Sequence, residues 1–197
     1  MIVGLTGGIG SGKSTVLSLF DQKADLVTYI ADQRGKMLMH SDEDVKRAIV
    51  DLFGPEAYQN GQLNRSYIAA IVFENPEKLH ALNAIVHPAV KADFQAFAKQ
   101  HQDTIVMYES AILFESGSAE NCDVVIHVFV PLQERIRRVI ARDNVPKEMV
   151  EKRVKNQLSD AQRDLQSHYR IDNNSKKLAA EEVDRIYNIL TKKASFV

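Results

Sequence analysis

An α/β fold built on a five-stranded, mostly parallel sheet is predicted by three observations on this 197-residue chain. First, five short apolar or β-branched runs alternate with long stretches of helical periodicity: Ile2–Thr6, Leu26–Ile30, Thr104–Tyr108, Val124–Val130 and Tyr169–Asp172. Strands spaced by helices pair in parallel and are covered on both faces. Second, Gly7, Gly12, Lys13 and Ser14 satisfy the spacing G-x-x-x-x-G-K-[ST]. Third, that string lies between the apolar run Ile2-Val3-Gly4-Leu5 and the apolar-periodic Val16–Phe20. This is the strand–loop–helix setting that a phosphate-binding loop requires.

The loop comes first along the chain. Its glycines let the backbone fold into a nest of N–H groups, and the helix opening near Lys13 adds its positive dipole end. Gly8, Gly10, Ser11, Gly12, Lys13, Ser14 and Thr15 are therefore expected to hold ATP phosphates. Lys13 reaches the terminal phosphates as a point charge, and the Ser14 hydroxyl joins the shell of a Mg2+ ion shared with those phosphates. The fold class narrows to a three-layer P-loop NTPase of the nucleotide-kinase-like kind.

Asp32 follows the second apolar run, at the sheet edge where ligands of open α/β sheets lie. A carboxylate there suits general-base catalysis on a hydroxyl that attacks a γ-phosphoryl group; the competing role is an N-cap for a helix over Gln33–Met39. About seventy residues of helical pattern then separate the second and third strands, too many for one crossover helix. They predict a helical acceptor lobe over about 41–102. Ser41 with Asp44 suggests capping of Asp42–Phe53, Asn64 caps Arg65–Phe73, and Asn75-Pro76 opens a long helix. His87-Pro88 is expected to bend or divide that helix before about Lys99.

Beyond the fourth strand, Pro131 opens a charged helix over Leu132–Arg142, and Asn144-Val145-Pro146 turns into a second over Lys147–Leu158. The hairpin is expected to form a lid at about 131–160. Arg135, Arg138 and Arg142 share one face of its first helix, and Arg153 and Gln157 pair on the second. Such a face is either merely solvated or set to neutralise charge on a phosphoryl group in transfer and exclude water. The tail, Ser175–Lys193, predicts a final helix with Leu178, Val183, Ile186, Ile189 and Leu190 inward. The whole chain, 1–197, reads as one kinase domain with its core in 1–40, 103–130 and 168–197.

Composition is ordinary for a globular protein, with 45% hydrophobic and 26% charged residues and a formal net charge of -1. That balance gives no electrostatic reason to expect nucleic acid or an anionic membrane as partner. Cys122, the single cysteine, cannot close an internal disulfide and is expected to be a small, buried or half-buried residue. No run approaches the ~18 apolar residues of a membrane span, and a strand starting at residue 2 leaves no room for a signal peptide. A cytoplasmic protein, monomeric or weakly homo-oligomeric, is expected.

A regulatory P-loop NTPase such as a switch GTPase needs Asn-Lys-x-Asp to select guanine. The nearest string, Asn173-Asn174-Ser175-Lys176, lacks it, and the third strand ends Tyr108-Glu109-Ser110-Ala111 instead of Asp-x-x-Gly. Phosphoryl transfer to a small acceptor is the reading that remains, with other metabolite or nucleoside monophosphate kinases as alternatives.

One family matches in order over essentially the whole chain. The phosphate loop is followed by Asp32, Leu63-Asn64-Arg65, and Leu82-Asn83-Ala84-Ile85-Val86-His87-Pro88. Leu113-Phe114-Glu115, Arg138-x-x-x-Arg142-Asp143, Arg153-x-x-x-Gln157 and Ile171-Asp172-Asn173 complete the series. The chain thus resembles the dephospho-coenzyme A kinases. The resemblance implies transfer from ATP to the ribose 3′-hydroxyl of dephospho-coenzyme A, with strand order 2-3-1-4-5. It also implies Asp32 as base, Arg138 and Arg142 on the phosphates, and Arg65 and His87 as acceptor contacts, although His87 also suits a plain helix bend. Glu115 is expected to fix lobe geometry, and Asn173 to make either a backbone turn or an adenine contact. Three positions depart from the family pattern: Ala111 replaces a proline, Gly35-Lys36 replaces Ala-Arg, and Glu109 stands where Asp is common.

Overall fold

The computed structural model describes residues 1–194. Two compact units divide them: Met1–Ile30 with the chain from Ala98 onward, and Ala31–Phe97. The chain begins with β1 (Ile2–Thr6), α1 (Lys13–Phe20) and β2 (Leu26–Ile30). The second unit carries α2 (Ala31–Ser41), α3 (Glu43–Phe53), the short strands β3 (Tyr58–Gln59) and β4 (Gln62–Leu63), and α4 (Arg65–Glu74). Next comes α5 (Pro76–Gln100). The remainder is β5 (Ile105–Glu109), β6 (Val124–Phe129), α6 (Leu132–Asp143), α7 (Lys147–Lys155), α8 (Asp160–Gln166), β7 (Tyr169–Asp172) and α9 (Lys176–Ala194).

The first unit is a five-stranded sheet in the order β2-β5-β1-β6-β7, parallel throughout. Omitting the β3–β4 hairpin, this is the order 2-3-1-4-5. Central β1 is apolar because both of its faces are covered. Val3 and Leu5 point to one face and are fully buried with α1 residues Val16, Leu17 and Phe20 and α9 residues Val183, Ile186 and Leu190. Gly4, on the other face, packs closely on Leu113 and Cys122. Ile189 is half-buried. Leu178 departs from expectation: it is 54% exposed, and its neighbour Ala179 faces the core. Helical period alone left the edge of that face open by one residue.

In the second unit, Val45, Ile49 and Phe53 line one face of α3 and join Ala57 and Ile68 in a separate core. The cap of α3 is Asp42, whose carboxylate accepts from the Asp44 and Val45 N–H groups, both at 3.0 Å. Ser41 instead ends α2, its hydroxyl donating to Met37 O. Asn64 caps α4 by accepting from Tyr67 N–H, and Asn75 caps α5 by accepting from Lys78 N–H. Pro88 lies within α5 without dividing it. The β3–β4 hairpin was not expected. It turns at Asn60 and Gly61, both with positive φ (51° and 75°), the conformation that Asn-Gly favours in a two-residue hairpin.

Candidate functional site

The phosphate loop joins the carboxyl end of β1 to α1. Ser11 faces inward: its N–H donates to Gly8 O at 3.0 Å, closing a turn, and its hydroxyl is buried beneath the loop. Lys13 Nζ donates to Gly7 O at 3.0 Å and lies 3.8 Å from Glu109 Oε1. The register Leu5↔Glu109 puts that carboxylate at the end of β5, beside the origin of the loop. Ser14 and Thr15 are exposed on the first turn of α1. Among the described residues there is no group of three or more His, Cys, Asp or Glu arranged to hold a metal ion.

Side chains remote in sequence grip the loop. Gln157 Oε1 accepts from Ile9 N–H at 2.9 Å, while its amide donates to Ala111 O at 3.3 Å. The amide of Asn173 donates to Ser11 O at 2.9 Å and Gly12 O at 3.3 Å. That clasp on the loop takes the place of the turn expected of Asn173. Asp172 makes the turn, accepting from Asn174 N–H. Arg135 Nε donates to Val130 O, Nη1 to Ile9 O, and Nη2 pairs with Asp160 at 2.8 Å.

The arginine row of α6 is therefore not one uniform face. Arg135 is buried. Arg138 is half-buried, held by Glu134 at 2.8 Å and donating to Asn173 O at 3.3 Å. Hydrogen bonds from Arg137 and Arg138 hold the Glu134 carboxyl down at about 2. Arg142 is exposed and pairs with Asp143, which holds the guanidinium pKa above its usual value. Arg153 also reaches Asp143, at 3.3 Å. Arg153 and Gln157 do not share a helix face, because α7 ends at Lys155. The chain enters α8 through a capping box formed by Ser159 and Gln162, an element not expected from periodicity. Glu115 accepts from Leu158 N–H at 2.8 Å and lies 3.4 Å from the buried Arg163. It thereby fixes the chain between α7 and α8. Cys122 is half-buried, and burial pushes its thiol up to about 12, leaving it inert.

In the second unit, Asp32 lies in the first turn of α2, exposed. The helix starts at Ala31, so Asp32 is not its N-cap. Arg34 on the same helix forms a two-pronged pair with Asp93 of α5, at 2.7 and 2.5 Å, which fixes the helix that carries Asp32. A cleft of about 800 Å3 is lined by Lys36, His40, Gln59, Asn60, Gln62, Leu63, Asn64, Arg65 and Ser66. Arg65 is thus on a cavity wall, whereas His87 is half-buried in α5 and is not among the lining residues. Burial lowers the His87 pKa, so its imidazole is neutral near pH 7. Gly35, one of the departures from the family pattern, faces Val86 and Val90 of α5.

A family model described as dephospho-CoA kinase matches residues 1–179. A dephospho-CoA kinase of Bacteroides fragilis is 32% identical over 197 residues, covering 99% of this chain and 95% of that protein. One from Salinibacter ruber is 42% identical over 161 residues, with 80% of each chain covered. Among solved structures, one from Thermus thermophilus superposes with a TM-score of 0.83 at 31% identity, covering 98% of this chain and 97% of that one. The dephospho-CoA kinase of Campylobacter jejuni gives 0.73 at 22% identity, covering 98% of each chain. A shikimate kinase from Bacteroides thetaiotaomicron gives 0.57 at 12% identity over 97% of this chain and 98% of that one, a likeness of fold alone.

Proposed function

The chain belongs to the dephospho-coenzyme A kinase family, and from that premise we propose how its own residues carry out the family's reaction. The enzyme transfers the γ-phosphoryl group of ATP to the ribose 3′-hydroxyl of dephospho-coenzyme A, giving coenzyme A and ADP in the last step of coenzyme A biosynthesis. The observation that carries the residue assignment is the complete phosphate loop at the end of the central strand, with Lys13 folded over it.

Gly8, Gly10, Ser11, Gly12, Lys13, Ser14 and Thr15 hold the triphosphate, with Lys13 moving from Gly7 O onto the terminal phosphates. The donor set suits Mg2+, which usually takes few protein oxygens and completes its shell with phosphates and water. The exposed Ser14 hydroxyl would be its protein ligand. When bound, the ion neutralises charge on the phosphate oxygens. Arg138 and Arg142 add donors to the transferring group.

Asp32 accepts the proton as the 3′-oxygen forms its bond to the γ-phosphorus and the bond from that phosphorus to the bridging oxygen of ADP breaks. Its place in the first turn of α2, two residues past β2, supports a reactive role over a capping one. Lys36 and Arg65 in the cleft recognise acceptor phosphates, and neutral His87 serves the acceptor by hydrogen bonding, not by charge. No described helix is long and apolar enough to cross a membrane. The formal net charge of -1 gives no general attraction to nucleic acid, and a cytoplasmic enzyme, monomeric or weakly homo-oligomeric, is the reading we carry forward.

Asp32→Asn tests the assignment. It keeps size and polarity but removes the base, so both substrates should still bind while turnover falls by roughly two to four orders of magnitude. Near-normal turnover would remove Asp32 from the mechanism.

A further inference from the structure

We infer that Arg135 is a positioning residue for ATP, a buried cation that braces the phosphate loop from behind and fixes the spacing of its N–H groups. The inference rests on the reading that residues 8–15 hold the triphosphate. It does not depend on the identity of the acceptor.

The side chain of Arg135 is only 5% exposed. Its fork ties three segments together: Val130 O after β6 at 3.1 Å, Ile9 O within the loop at 3.5 Å, and Asp160 at the start of α8 at 2.8 Å. Contact with the loop is direct, since a Cβ built on Gly8 would lie 2.0 Å from Nη1. The backbone joins in, because a Cβ on Gly10 would lie 2.5 Å from Arg135 O. A side chain at Gly10 would push the loop off this helix, and one at Gly8 would displace the guanidinium.

Stability is a poor reason to keep such a group. Desolvating a guanidinium and a carboxylate is costly, and apolar replacements of buried ion pairs are often neutral or stabilising. Nor does Asp160 belong to Arg135 alone, being 3.6 Å from Arg163 Nη1 and 3.8 Å from His127 Nε2. What the arginine supplies is geometry that an apolar side chain lacks, a rigid planar fork reaching three acceptors at once. It also places a positive charge behind an anion site with little water to screen it. Gln157 on Ile9 N–H and Asn173 on Ser11 O hold neighbouring points of the loop, so Arg135 completes a set of three.

The test compares Arg135→Met and Arg135→Lys in the full chain. Calorimetry measures the dissociation constants of a non-hydrolysable ATP analogue and of dephospho-coenzyme A, alongside the melting temperature. Arg135→Met should weaken the ATP analogue at least tenfold while changing acceptor affinity less than twofold. Arg135→Lys should recover only part of the loss, because an ammonium cannot span the three acceptors. A folded Arg135→Met variant with nucleotide affinity within twofold of wild type, or with equal losses for both ligands, overturns the inference. If Arg135→Met does not fold, the isosteric Asp160→Asn decides. At least threefold weaker nucleotide binding is expected, and unchanged affinity overturns the brace. Lys13→Ala serves as the control: if it too leaves nucleotide affinity intact, the reading of the loop has failed and not the brace.

Discussion

The two ends of α6 carry the same residue type on the same face and have opposite surroundings. At the foot, the Arg135 side chain is 5% exposed and bonded to three segments; at the tip, Arg142 is 65% exposed and pairs with Asp143, which Arg153 also reaches. Arg138, between them, is 31% exposed. The gradation follows from what lies beneath each turn: Ile136 and Val139 are buried with Val150 and pack on Ile9, whereas Ala141 and Arg142 in the last turn are exposed. Spacing along a helix tells which residues share a face and says nothing of depth. Depth separates Arg135, bonded to the phosphate loop, from Arg142, which lies open to solvent.

The largest expected effect sets the scale for that contrast. Lys13 belongs to the loop itself and contributes little to the core, so Lys13→Ala should cut turnover by roughly two to three orders of magnitude with the fold intact. A folded variant retaining more than about a tenth of wild-type turnover would contradict the assignment.

Arg142→Ala sharpens the exposed side of the comparison. Losing one charge-assisted bond to a phosphoryl oxygen removes about 1.5–3 kcal/mol, a roughly ten- to hundredfold fall in turnover. The surface pair with Asp143 adds little stability, so the melting temperature should move by less than about 3 °C. Lysine at this position should rescue only partly. A collapse in stability with normal turnover in the folded fraction would make Arg142 structural.

Asn173→Ala should show the opposite pairing. It leaves the Ser11 carbonyl without its buried donor, while Gly12 O keeps the Thr15 and Val16 N–H groups, at a cost of about 1–3 kcal/mol and several degrees of melting temperature. KM for ATP should rise several-fold while acceptor KM holds. Unchanged melting would show that the clasp on the loop is not stabilising.

The smallest effect is a pH dependence. Burial lowers the pKa of the fully buried His127, outweighing the opposing pull of Asp164 at 2.7 Å. The unfolded chain takes up a proton below about 6.5 that the folded chain resists, so stability rises with pH and is lost on acidification from pH 7 towards 5. The slope from this one group is at most about 1.4 kcal/mol per pH unit. Denaturation midpoints across that range should flatten in His127→Gln, and a slope unchanged by the substitution would contradict the shift.

Much of this molecule was legible in the sequence because the signals were local. The loop spacing, the five core strands, and the Asn64 and Asn75 caps each depend on residues within a few positions of one another. Two missed elements also had local signals, Asn60-Gly61 for the hairpin and Ser159 with Gln162 for α8. What no local pattern could show were the clasps on the loop. Asn173 reaches Ser11 across 162 positions and Gln157 reaches Ile9 across 148. These partners are set by strand order and by the path of the α6–α7 hairpin. For the same reason Arg135, Arg138 and Arg142 looked alike before the core beneath them was known.

Acceptor choice is the most direct test of the central claim that this chain completes coenzyme A. ADP release from ATP and Mg2+ would be followed with dephospho-coenzyme A, AMP, shikimate and gluconate as competing acceptors, and the product identified by mass and by the position of its new phosphate. Release should depend on dephospho-coenzyme A, with the phosphate on the ribose 3′-oxygen. Comparable release with AMP or shikimate, or phosphate at another position, would contradict it.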